Sequence, residues 1–156
     1  MSEAIDAGVE IDGQQPAQAQ AAGDRTGLSS ATNNRLIRAH GLAALVTLLL
    51  AVTFGIIASL QFIWPEFAGA LPSWGRLRFA HTQGIMLGWL GNAFLAFLYL
   101  AVPVLSGRPV TSDRLGWLIL GLWNLAVMLP GWLLVLSGVS QPLEWAEFPL
   151  MVDLVM

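Results

Sequence analysis

Residues 79–105, FAHTQGIMLGWLGNAFLAFLYLAVPVL, are 27 consecutive positions without a formal charge. Coiled as an α-helix they extend about 40 Å, more than the roughly 30 Å of bilayer hydrocarbon. Two further uncharged runs flank this one, Gly41–Trp64 with 24 residues and Leu115–Leu143 with 29. Of the 156 residues, 56% are hydrophobic and 11% charged, with a mean hydropathy of +0.67. Soluble domains carry about 25% charged residues, so a soluble fold is ruled out. The expected fold is all-α and integral to the lipid bilayer, with three transmembrane helices near 38–64, 79–105 and 115–142. Glu144-Trp145-Ala146-Glu147 and Phe148-Pro149 precede LMVDLVM, which reads as the start of a fourth span.

Outside the apolar runs the chain changes character. The first 30 residues are rich in Ala, Gln and Gly, contain no aromatic residue and hold five acids before Arg25. Such a stretch buries too little to offset its ordering entropy, so residues 1–34 are expected as a disordered tail and 35–156 as the membrane part. It is no signal peptide, because its start is acidic and the first apolar run begins only at Gly41. Arg25, Arg35 and Arg38 precede the first run, and Arg108 and Arg114 separate the second from the third. Only Arg76 and Arg78 lie on the opposite side, so the positive-inside rule puts the N-terminus in the cytoplasm.

Composition also narrows the chemistry. With no cysteine there is no disulfide, thiolate metal site or cysteine nucleophile. With no lysine there is no Schiff base and no P-loop. A net charge of −3 without a basic run excludes nucleic acid as a partner.

Few polar residues remain inside the spans. His81 lies just within the outer end of the second, and at 100° per residue Gly84, Gly88, Gly91 and Asn92 fall within about 80° of it. A histidine above a glycine strip suits a flat haem ring held through the imidazole, because side chains there would strike the macrocycle. Gly84 and Gly88 are equally a helix-packing motif, and residue pattern alone leaves both readings open. Arg78, three residues before His81, is placed to clamp a propionate or simply to reach the interface. Glu144 and Glu147 return to the same outer face, as a hard-cation site for calcium or as an ordinary helix-end flank. His40 is expected at the opposite interface, about 36 Å from the far end of the first run, so it cannot share a haem with His81. Tyr99 and Asn124 read as isolated, satisfied packing residues, and Pro130-Gly131 as a kink in the third span.

At this point the chain resembles a known family. The stretch GRLRFAHTQGIMLGWLGNAFLAFLYLAVP is similar to the second helix of haem–copper oxidase subunit I, closest to the cbb-type (C-family) cytochrome c oxidases. SGVSQPLEWAEFPLMVDLVM is similar to the segment after that family's third helix. The resemblance covers about residues 36–156, and nitric oxide reductases share much of it.

The resemblance implies that His81 is one axial ligand of the low-spin haem b, with Arg78 near its propionates and Gly84 and Gly88 beside the ring. It also implies that Glu144 and Glu147 lie near the propionates and a bound calcium. It further implies a bacterial inner membrane and partnership with c-type cytochrome subunits. In that family the complete subunit also carries a high-spin haem and copper, reducing oxygen to water and moving protons. Those centres need further histidines and a cross-linked tyrosine, whereas this chain has two histidines and one tyrosine. Residues 1–156 are therefore not expected to reduce oxygen alone. They read as an N-terminal fragment, or as one piece of a split subunit completed by a complementary chain. The alternatives are a nitric oxide reductase fragment and a non-catalytic haem-binding or assembly protein.

Overall fold

Helix α1 (Asn34–Leu60) begins where the Asn33 side chain accepts a hydrogen bond from the Leu36 amide at 3.1 Å. It starts and stops about four residues earlier than expected. At the start, Arg35 and Arg38 belong to the helix although they are charged, because a long side chain at a helix end can reach water. At the other end Gln61 leaves the helix and its Nε2 donates to the Phe67 carbonyl at 3.1 Å, turning the chain before Pro65 is reached. The computed structural model describes residues 32–69, 73–141 and 148–154. The tail expected at 1–34 lies outside them, apart from its last residues, which cap and open α1.

The second span runs from Trp74 to Ser106 as α2 (Trp74–Gln83), a π-helical stretch (Gly84–Gly91) and α3 (Asn92–Ser106). Gly107 closes it with a left-handed φ of 64°, a conformation in which a side chain would strain the backbone. The third span, Asp113–Ser137, has the same construction: α4 (Asp113–Gly121), a π-helical stretch (Leu122–Met128) and α5 (Leu129–Ser137). Ser112 caps it by accepting from the Leu115 amide at 3.3 Å, with Asp113 in the first turn. Its π-helical stretch ends two residues before Pro130, whose missing N–H disturbs the preceding turn. A single helical turn, α6 (Leu150–Asp153), follows. Among the described residues every regular element is helical, and three helices are long and apolar enough to cross a membrane. The protein is an all-α, multi-pass membrane protein.

Small residues bring the spans together. Thr47, Ala51 and Gly55 recur every fourth position of α1, and they meet Gly88, Gly84 and His81 of the second span. A β-carbon on Gly84 would lie 2.7 Å from the Ala51 β-carbon, and one on Gly88 would lie 2.9 Å from that of Thr47. Small residues at that spacing let two helix backbones approach closely, which is the main packing force available in lipid. From the third span Trp132 donates to the Ala80 carbonyl and Trp123 to the Leu87 carbonyl, both at 2.9 Å. Phe148 is fully buried against Gly131, where any side chain would collide with its ring. Leu45, Leu49, Ile56, Phe94 and Leu125 are exposed, as lipid-facing side chains should be.

A tethered histidine beside the first helix

His81 sits in the third turn of α2, and its Nδ1 is 2.8 Å from the Ala51 carbonyl of α1. A carbonyl only accepts, so Nδ1 carries the proton and Nε2 keeps its lone pair. The ring can approach because residue 55 is glycine: a β-carbon there would lie 2.7 Å from Nδ1 and 2.8 Å from Cε1. His81 also forms part of the wall of a cavity of about 360 Å³, together with Val52, Gly55, Ile56, Ser59 and Leu60. An imidazole tied by one N–H to a backbone carbonyl, with the other nitrogen unprotonated, is the usual state of a metal-bound histidine. The residues present therefore fit a haem ligated through Nε2. Gly55, which the sequence reading did not single out, is what seats this ring.

Gly84 and Gly88 do share a face with His81, but that face holds no open slot. Gly84 is packed by Ala51 and Trp132, and Gly88 by Thr47 and Met128. The strip is consumed in helix–helix contact, because α1 presents its own small residues to it. Helical angles describe which residues share a face, and they are silent about what covers that face.

Arg78 is exposed, with its guanidinium 4.7 Å from the Phe79 ring centroid and 5.7 Å from that of Trp74. Arg76 is drawn instead to the end of the third span, donating to the Leu136 carbonyl at 3.3 Å and lying against Gly138. Glu144 and Glu147 lie outside the described residues. Among those described, no group of three or more His, Asp or Glu is positioned to hold a metal ion.

His40 departs most from expectation. It is fully buried rather than interfacial, with Nδ1 3.2 Å from Asn92 Oδ1 and its ring stacked on Tyr99 at 5.4 Å. Asn92 and Asn124 exchange two hydrogen bonds, at 2.9 and 3.0 Å, so Asn124 is not isolated. This polar cluster joins all three spans. The signal available in the sequence was the interval of four linking Gly84, Gly88 and Asn92, which places an amide on the packed strip. His40 and His81 are well separated, since their contacts on α1 are 11 residues, or about 17 Å, apart.

Fold and site together define an α-helical membrane protein that presents a tethered imidazole within the bilayer. Residues 35–156 match the family of cytochrome c and quinol oxidase polypeptide I, and the chain belongs to that family. It is 27% identical over 125 residues to cytochrome c oxidase subunit 1 of Rhodobacter capsulatus, covering 77% of this chain and 23% of that protein. It is 26% identical over 132 residues to the Cbb3-type cytochrome c oxidase subunit CcoN1 of Stutzerimonas stutzeri, covering 83% and 28%. A cytochrome c oxidase subunit 1 homolog of Agrobacterium tumefaciens is 30% identical over 103 residues, covering 64% and 19%. The chain thus spans about a quarter of the length of these relatives. No solved structure matches it.

Proposed function

We propose that the chain is the amino-terminal part of the catalytic subunit of a cbb-type terminal oxidase, in which His81 supplies one axial ligand of low-spin haem b. The observation that carries this is the hydrogen bond from His81 Nδ1 to the Ala51 carbonyl at 2.8 Å. That bond selects the tautomer and orients the ring, leaving Nε2 as the donor atom. A haem so ligated supplies one-electron transfer. The protein's part is to hold the imidazole still, exclude water with Val52, Ile56 and Leu60, and present a cation near the interface. Arg78 is that cation, and a propionate is its partner by charge-assisted hydrogen bonding.

The names of the relatives favour a cytochrome c oxidase over a nitric oxide reductase, and the CcoN1 likeness favours the cbb type. On this reading the complete enzyme carries electrons from c-type cytochrome subunits to a high-spin haem and copper, whose ligands belong to other segments. It does so in a bacterial inner membrane, with the N-terminus cytoplasmic. Glu144 and Glu147 are assigned to a calcium near the propionates.

The test is His81→Ala in the assembled oxidase, read by the optical and paramagnetic spectra of the low-spin haem. The six-coordinate signal is expected to vanish while helix content by circular dichroism is retained. A His81→Ala assembly that kept its low-spin spectrum would overturn the assignment.

A further inference from the structure

On the side where α1 begins, residues 32–35 and 109–114 enclose a cavity of about 790 Å³. Two guanidiniums, Arg35 and Arg114, line it against a single carboxylate, Asp113, so its walls are net positive. Both arginines are exposed, and no ion pair or hydrogen bond engages their side chains among the described residues. Trp117 also lines this cavity, and it is shared with a second one. That second cavity is an apolar groove of about 650 Å³ between α1 and the third span, walled by Leu42, Val46, Leu50, Leu125 and Leu129. A polar cationic chamber therefore opens directly into an apolar groove at one tryptophan.

The dimensions select the occupant. Along α1 the groove runs from Ala39 to Leu50, about 17 Å at 1.5 Å per residue, or roughly one leaflet of a 30 Å hydrocarbon core. Its volume over that length gives a cross-section of about 40 Å², half that of a helix 10 Å across. A helix would lie over such a groove, whereas an acyl chain lies in it. Gly121 keeps the wall open, for a β-carbon added there meets nothing within 4 Å. We propose that this composite site binds one anionic phospholipid, its phosphate between Arg35 and Arg114 and one acyl chain in the groove beside Trp117.

The test reconstitutes the chain in phosphatidylcholine vesicles doped with dibrominated phosphatidylglycerol or, at equal mole fraction, dibrominated phosphatidylcholine. The Trp117→Phe variant isolates the contribution of Trp117 to the quenched fluorescence. Brominated phosphatidylglycerol is expected to quench Trp117 at lower mole fraction, with each arginine contributing about fivefold to the preference. Arg35→Gln and Arg114→Gln should each remove about that factor. Gly121→Leu should reduce the quench with helix content unchanged. Equal quenching by the two lipids overturns the proposal, as does a phosphatidylglycerol preference that survives both arginine substitutions. Displacement by glycerol phosphate would show an anion pocket without a lipid site, and an unaltered quench in Gly121→Leu would assign the groove to bulk lipid or a neighbouring helix.

Discussion

Asn92→Ala tests how the three spans lock together. The Asn92 side chain makes three interhelical hydrogen bonds, two with Asn124 at 2.9 and 3.0 Å and one with His40 at 3.2 Å. In membranes such bonds are worth about 0.6 kcal/mol each, so their direct loss is about 2 kcal/mol. The indirect cost comes from His40, a fully buried side chain whose Nε2 already has no partner. Truncating Asn92 strands Nδ1 as well, and a newly unsatisfied buried group costs about 1–3 kcal/mol. The expected destabilisation is therefore about 3–5 kcal/mol, measured by unfolding in mixed micelles with rising dodecyl sulfate. The double cycle with Asn124→Ala should show coupling of about 1 kcal/mol, because the two amides exchange both bonds. Adding His40→Phe to Asn92→Ala should recover part of the loss, since it removes the stranded nitrogens and keeps the ring against Tyr99. A cost under about 0.5 kcal/mol, with an additive cycle, would refute the network as a lock.

Other substitutions separate packing from haem seating. Gly88→Leu should cost about 1–3 kcal/mol in the same titration, because its side chain collides with Thr47 and Met128, and a neutral result would mean the strip is not packed. Gly55→Val pushes directly on the His81 ring, so it should lower haem content of the assembled oxidase while leaving the His40 cluster intact; full haem loading would show that the ring needs no such seat. Glu144→Gln combined with Glu147→Gln should lower haem retention after chelator treatment, and unchanged retention would leave the pair without a cation role.

Three membrane spans, their order and the depth of His81 were legible in the sequence, because each rests on a local property. Uncharged length decides whether a segment crosses a bilayer, Arg placement marks the flanks, and Ser112 and Gly107 bound their helices through their own caps and dihedrals. The shared face of His81, Gly84, Gly88 and Asn92 was legible too, as a consequence of helical repeat. What that face meets was not. Whether a glycine strip opens to a planar ligand or receives another helix depends on the small residues of a segment some 30 positions away. Thr47, Ala51 and Gly55 on α1 fill it with helix, move the open side of His81 to Gly55, and draw His40 inward onto Asn92. Hydrogen-bond partners between spans are set by rotation and depth of one helix against another. Those quantities have no signature in either strand of sequence alone, so they were decided only when the helices packed.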